Sequence, residues 1–350
     1  MAARLALTDL PVPVIAAPMA GGPSTPALVA AVGAAGGLGF LAGGYTPASR
    51  LTAQIADTRE LTAGPFGVNL FVPGRQPQGA ALASMQRHVA AYRGALSPDA
   101  ARLGVALPEP DWADDDGWEE KIALLTLVDP VAVVSFTFGV PGGNVVADLQ
   151  EVGTAVWVTV TDPAEAQAAR DVGADAVIVQ GFDAGGHRST HRVEDEPNEF
   201  DHLALLPLLA ELGLPMIAAG GVTTAGDVRR ALAAGAAALQ VGTAFLLTPE
   251  AGTNPAHRLG LSDPALRTMV TRAFSGRPAR GLTNRFALEH SDQAPAAYPV
   301  VDQITKPLRA AAAAAGDIGG VALWAGSGWR AASEEPAAYV VRRLADGARA

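Results

Sequence analysis

Short apolar runs alternate with amphipathic helical patterns along roughly the first 250 residues. Eight runs stand out, at 14–18, 38–42, 66–71, 131–138, 155–160, 175–179, 215–219 and 238–241. Each is apolar on both faces, which predicts strands buried in a parallel sheet rather than half-exposed ones. The stretches between them carry helix start and stop signals. In TDPAEAQAARDVG, Asp162 suits the N-cap, Pro163 the first helical position, Glu165 a capping box and Gly173 the stop. Thr224 and Gly235 take the corresponding parts in TTAGDVRRALAAG. In STPALVAAVGAAGG the pattern predicts Ser24 as cap, Leu28 and Val32 on one face, and Gly36 as terminator.

Gly173-Ala-Asp-Ala-Val and Gly235-Ala-Ala-Ala-Leu form a weak internal repeat, each running from a helix stop into a strand. Successive βα units built alike predict an α/β fold, a (β/α)8 TIM barrel. A doubly wound open sheet is the competing topology, but PMAGGPST follows the first strand where that fold would carry G-x-G-x-x-G. Two regions break the rhythm. Residues 73–130 form an insertion with a helical stretch at 80–92 and an acidic segment, DWADDDGWEEK, whose Asp114–Asp116 run reads as a solvated loop. After about residue 250 no further strand is expected, and the tail reads as mostly helical. Long insertions on barrels commonly cover the active end. The expected organisation is therefore a barrel over 1–250, carrying the 73–130 insertion. A smaller, mostly helical second domain over 251–350 serves partly as a lid and partly packs back on the barrel.

Composition narrows the function. At 350 residues, with 49% hydrophobic and 17% charged residues, the chain has ample material for a core. A formal net charge of −10 argues against nucleic-acid binding. It leaves room for a bound nucleotide, because glycine-rich turns hold phosphate through backbone N–H groups. With no cysteine there is no disulfide framework or thiolate nucleophile. The N-terminal stretch MAARLALTDLPVPVIAAPM reads as neither a signal peptide nor a membrane span. A cytoplasmic protein without membrane association is expected, with homo-oligomerisation left open.

The chemistry on a barrel gathers where strands end. Here the sixth run leads through Gln180 into Gly185-Gly186-His187, a backbone-permissive turn followed by a side chain able to exchange a proton near neutral pH. The seventh ends Gly220-Gly221 and the eighth Gly242-Thr243. These glycine pairs at adjacent strand ends predict a site for a phosphate-bearing cofactor or substrate, with ordinary glycine turns as the alternative. Asn69 and Gln180 place amides in otherwise apolar strands. Buried amides need partners, which either neighbouring backbone or a planar heterocycle supplies. His88, His191, His202, His257 and His290 lack a catalytic neighbour in sequence. The absence of H-E-x-x-H and G-x-S-x-G argues against a zinc site and a serine hydrolase, and no metal is expected.

Seven blocks, in order, carry a family resemblance: APMAGGPSTPALVAAVGAAGGLGFLAGGY, FGVNLFVP, VVSFTFGVP, VIVQGFDAGGHR, AAGGVTTAGDVRRALAAGAAALQVGTAFLLTPE, AFSGRPARGLTNRF and QITKPLRAAA. Through them the chain resembles the nitronate monooxygenases over essentially its whole length. The resemblance implies an FMN-binding TIM barrel under a helical second domain. It implies oxidative denitrification of alkyl nitronates, such as propionate 3-nitronate, by O2 to a carbonyl compound and nitrite. Met19, Asn69 and Gln180 fall on isoalloxazine contacts, and Gly185 on the glycine turn against the flavin. Gly220, Gly221, Gly242 and Thr243 fall on the FMN phosphate site, with Gln240 nearby, and His187 falls on the catalytic histidine. Its neutral form suits a base toward nitroalkanes, and its protonated form a partner for the nitronate anion. Asp183 stands where relatives usually have Glu. FMN-dependent NAD(P)H:quinone reductases and enoyl-ACP reductases share a similar histidine turn, so the alternative is a reductase on the same scaffold.

Overall fold

The computed structural model describes residues 4–348. Residues 1–3 of the N-terminal stretch and residues 349–350 of the tail lie outside the described residues. The strands are β1 (Val14–Ala16), β2 (Phe40–Ala42), β3 (Gly67–Phe71), β4 (Val133–Thr137), β5 (Ala155–Val160), β6 (Ala176–Gln180), β7 (Gly186–His187), β8 (Met216–Ala219), β9 (Ala238–Val241), β10 (Thr268–Thr271) and β11 (Ala279–Leu282). All eight predicted runs are strands, trimmed or extended at their ends by a residue or two. They pair in parallel in the order β1-β9-β8-β6-β5-β4-β3-β2. A parallel bridge between Ile15 and Leu38 joins the two edges. Ala16 N donates to Leu38 O at 2.9 Å and Leu38 N to Val14 O at 3.1 Å, closing a (β/α)8 barrel.

Alternation along the strands sorts the core into layers. Ile15, Phe40, Val133, Trp157, Ile178 and Ile217 share one cluster, with Leu7 from a 3-10 turn (Leu7–Asp9) packed against it. Their chain neighbours Val14, Val158 and Val177, with Leu239 of β9, belong instead to a cluster with helical Leu28, Val32, Ala166, Leu205 and Val228. The helix at Ala337–Ala345 joins that cluster through Val340, Val341 and Leu344, so the end of the tail packs on the barrel.

The helix signals hold with two corrections. Asp162 accepts from Glu165 N at 2.9 Å, Thr224 and Asp227 form a reciprocal capping box, and Gly36, Gly173 and Gly235 follow their helices at positive φ. Thr25, not Ser24, caps the first barrel helix, accepting from Leu28 N at 3.0 Å. Ser24 Oγ is taken by Met19 N at 2.9 Å, which fixes the turn after β1. Glu165 does not reach back to its own N-cap. Its carboxylate is buried, accepting from Thr161 N and Oγ1 and from His191 N.

The expectation of a strandless tail is also overturned. β10 and β11 form an antiparallel sheet with β7, in which His187 pairs with Ala279 and Gly186 with Arg280. This sheet ties the histidine-bearing turn of the barrel to the tail. Insertion and tail share one apolar cluster, in which Val89, Tyr92 and Leu96 pack with Phe274, Phe286, Val300, Ile304 and Leu308. The acidic run is a loop whose Asp115 is exposed, as expected, while Asp114 and Asp116 are tied into the fold. Asp116 accepts from Tyr45 N and pairs with Lys121 at 2.8 Å, and Asp114 accepts from Gln303 at 2.7 Å. Among the described residues no helix is long and apolar enough to cross a membrane.

Candidate active site

A cavity of about 450 Å³ opens at the C-terminal ends of the barrel strands, beneath the tail. Met19, Asn69, Gln180, Gly185, His187, Gly220, Gly221, Gln240, Gly242 and Thr243 all line it. Residues spread over more than 200 positions meet there because parallel register places successive strand ends side by side. Gln180 pairs with Ala219, and Ala219 with Gln240.

His187 enters from β7. Its Nε2 lies 2.8 Å from Ser275 Oγ, which fixes the ring's orientation from the tail side. Phe138, Trp324 and Tyr298 surround it, with ring centroids at 5.5, 5.6 and 6.1 Å. Phe138 adopts a left-handed backbone (φ 75°) just beyond β4. The Arg277 guanidinium stacks on the Phe138 ring at 4.0 Å. Burial, then the positive charges of Arg277 and Arg309, push the His187 pKa down to about 3. The imidazole is therefore neutral at physiological pH, and the expectation of a group titrating near neutrality is corrected.

The three amides differ. Asn69 donates to Ser135 O, Ser135 Oγ and Thr137 Oγ1, at 3.0–3.1 Å. Gln180 is bonded at both ends, donating to His187 O at 3.0 Å and accepting from Ser189 N at 3.0 Å. It holds the ends of the histidine turn together. Gln240 is the exception: its Oε1 is buried and has no hydrogen-bond partner among the described residues. An unpaired buried carbonyl costs about 1–3 kcal/mol, so a donor is missing at this wall.

The glycines fall into two groups. A Cβ on Gly185 would lie 2.4 Å from Gly326 N, and one on Gly220 (φ 96°) 2.7 Å from Ala184 N. Gly221 (φ 73°) faces Asp183, whose Cβ is 3.1 Å away. These positions are glycine because protein backbone crowds them or because φ is positive. Gly242 differs, since a Cβ there would make only ordinary contacts of 3.5 Å or more with Ala17 and Met19. Thr243 Oγ1 accepts from Gly326 N at 3.0 Å, bringing the 325–328 loop over the glycine pairs.

Several lining residues escaped the sequence reading, among them Tyr45, Phe138, Trp324, Asp302, Lys306 and Arg309. Tyr45, Phe138, Lys306 and Arg309 were signalled only by membership in the family-like blocks, and Asp302 and Trp324 lie outside them. His257, set aside for want of a neighbour, also lines the cavity. Its Nε2 lies 3.0 Å from Trp324 O, and burial lowers its pKa to about 4. His290 is remote and bound to Asp99 at 2.9 Å. Asp99, Glu289 and His290 are close enough to hold a cation, but Asp99 is already engaged by Arg102 and Arg285.

The sequence model of the nitronate monooxygenase family matches residues 4–347. A nitronate monooxygenase from Pseudomonas aeruginosa is 42% identical over 351 residues, covering 95% of each chain. One from Paraburkholderia phytofirmans is 38% identical over 98% of this chain and 93% of its own. Among solved structures, a nitroalkane oxidase from Streptomyces ansochromogenes superimposes with a TM-score of 0.91 at 50% identity, covering 97% of this chain and 96% of its own. FabK from Thermotoga maritima shares the fold, with a TM-score of 0.73 at 24% identity over 98% of this chain and 94% of its own.

Proposed function

The chain belongs to the nitronate monooxygenase family, and we propose that it binds FMN and uses O2 to convert alkyl nitronates to a carbonyl compound and nitrite. The observation that carries the proposal is the meeting of His187, the unpartnered Gln240 Oε1 and the two glycine pairs in one cavity.

The residues present fit a flavin nucleotide. Gln240 Oε1 calls for a donor, which an isoalloxazine N–H supplies. Gly220-Gly221 and Gly242-Thr243 follow β8 and β9, where barrels of this kind hold phosphate. Gly242 carries no side chain although the protein around it has room for one, consistent with backbone that a ligand approaches. When bound, the flavin supplies the redox chemistry, and the protein supplies binding, orientation and electrostatics.

His187 serves this chemistry in its neutral form. Toward a neutral nitroalkane it is the base that removes the α-proton. Toward a nitronate, which has already lost that proton, it is a hydrogen-bonding partner rather than a cation. Phe138, Tyr298 and Trp324 exclude water from the histidine side. The aqueous-facing charge at this wall is Lys306, whose ammonium suits an anionic nitronate.

The test is aerobic turnover of the purified protein with its flavin. Nitrite release from propyl-1-nitronate, matched by O2 uptake, is expected. No nitrite, with rapid bleaching of the flavin by NADPH under anaerobic conditions, would mark a reductase instead.

A further inference from the structure

A neutral histidine acts as a base only through the ring nitrogen that carries no proton, and the contacts of Ser275 decide which one that is in His187. Ser275 lies in the turn between β10 and β11, where Gly276 (φ 82°) folds the chain back on itself. A Cβ on Gly276 would lie 2.8 Å from Ala297 backbone, so this turn needs glycine. Ser275 Oγ thereby meets both backbone groups of the residue two positions on. Arg277 N donates to it at 3.3 Å, and Arg277 O lies 3.4 Å away. The third neighbour of the same oxygen is His187 Nε2, at 2.8 Å.

A hydroxyl has one proton to give and two lone pairs to receive. Arg277 N can only donate, and it takes one lone pair. Arg277 O can only accept. Its residue is 2% exposed, and no other donor reaches this carbonyl among the described residues. With the hydroxyl proton given to Arg277 O, the second lone pair is left for Nε2, which must then carry the ring proton. The reverse arrangement, with the hydroxyl donating to Nε2, leaves a buried carbonyl unpaired and is the costlier one. Nδ1 is then the unprotonated atom. It has no partner among the described residues, and His187 lines the cavity.

We infer that Ser275 is a positioning residue for His187: by accepting from Nε2–H it holds the neutral imidazole in one tautomer and presents the Nδ1 lone pair to the cavity as the base. This inference rests on the reading of His187 as a base above. In the step it serves, the α-proton of a nitroalkane passes to Nδ1, and the electron pair of the broken C–H bond becomes the C=N bond of the nitronate. The ring then carries a proton on each nitrogen. Burial, Arg277 and Arg309 oppose that charge in the resting site, and the nitronate anion formed beside Nδ1 favours it. The bond from Nε2–H to Ser275 becomes charge-assisted as the proton arrives. It is therefore stronger in the transition state than before it, which is the condition for an interaction to speed the step. A substrate supplied as the nitronate has no α-proton to lose and gains nothing from this change.

The test reads the tautomer and the rate separately. Flavin-containing protein labelled with 15N-histidine is observed at pH 7 by long-range 1H–15N correlation, the His187 ring being identified by its loss in His187→Asn. A protonated Nε2 and an unprotonated Nδ1 are expected. The reverse pattern overturns the inference, and reading it requires no substitution at Ser275. The second measurement is the ratio of kcat/KM for neutral nitroethane to that for ethylnitronate, both followed by nitrite release. Ser275→Ala is expected to lower this ratio about tenfold. A merely structural loss slows both forms alike, so a ratio within about twofold of the unaltered protein's overturns the inference. Failure of the unaltered protein to release nitrite from either form overturns the functional reading, and the role of Ser275 with it. A reversed tautomer in a protein that does release nitrite overturns the inference alone.

Discussion

The neutrality of His187 has measurable consequences. With its pKa near 3, set by burial and by Arg277 and Arg309, it adds no ionisation step to kcat/KM for neutral nitroalkanes between about pH 5 and 8. A His187-dependent inflection near pH 6.5, absent in a variant lacking the imidazole, would contradict this. His187→Asn is expected to retain flavin while losing activity, most clearly on neutral nitroalkanes, and unchanged turnover on both substrate forms would remove His187 from the chemistry. The same physics acts on stability. His257, held to a pKa of about 4 by burial, lies below its unfolded value of about 6.5, so the unfolded chain binds more protons between the two. Its contribution is complete above pH 6.5 and is lost as pH falls toward 4, a change of about 3 kcal/mol. Chemical denaturation at pH 7 and pH 4.5 measures it, with the unfolding midpoint falling at the lower pH and falling less in His257→Gln, where only the other buried histidines such as His187 still contribute. The glycines separate in the same way. Gly220→Ala meets backbone at 2.7 Å and positive φ, and is expected to lower Tm by the equivalent of about 1–3 kcal/mol. Gly242→Ala has room and should keep its Tm while weakening flavin retention. Equal effects of the two substitutions on Tm would show that Gly242 is also structural.

At the level of elements, the strand-to-helix turn after β8 links folding to binding. Burial pushes the Asp227 carboxyl up, but hydrogen bonds from Thr223 and Thr224 outweigh it and hold the pKa below the usual value. Asp227 is thus charged and anchors the loop that carries Gly221 and Thr223 into the cavity wall. Asp227→Ala is expected to cost about 1–2 kcal/mol and to weaken flavin binding, measured as Tm and as flavin lost on gel filtration. A lower Tm with flavin held as tightly as before would separate the helix cap from the site. This helix was legible because its signals are local: a threonine at its start and a glycine after its last turn. Ser24 was misread because two adjacent hydroxyl residues compete for one cap, and only the fold shows that Met19 N claims Ser24. Glu165 fits a capping box by spacing, yet the backbone of residue 191 draws it away. β10 and β11 stayed hidden for a different reason. They are short, β11 carries Arg280 in its middle, and the partner that defines them, β7, lies about 90 positions earlier.

Across the whole molecule, the barrel was readable because eight runs apolar on both faces admit few arrangements, and glycines at strand ends mark one mouth. The roof was not readable. Ser275, Tyr298, Trp324 and Asp302 reach the cavity through tertiary packing that no local period encodes, with insertion and tail sharing one core. We propose that the roof so formed is the lid of the site. The hydrogen bond between His187 and Ser275 joins the barrel's chemistry to that roof. The most direct measurement is nitrite formed per O2 consumed when the purified, flavin-containing protein meets propyl-1-nitronate in air. The account predicts stoichiometric nitrite without any added reduced nicotinamide. A protein that releases no nitrite, yet whose flavin is bleached within seconds by NADPH in the absence of O2, would contradict it.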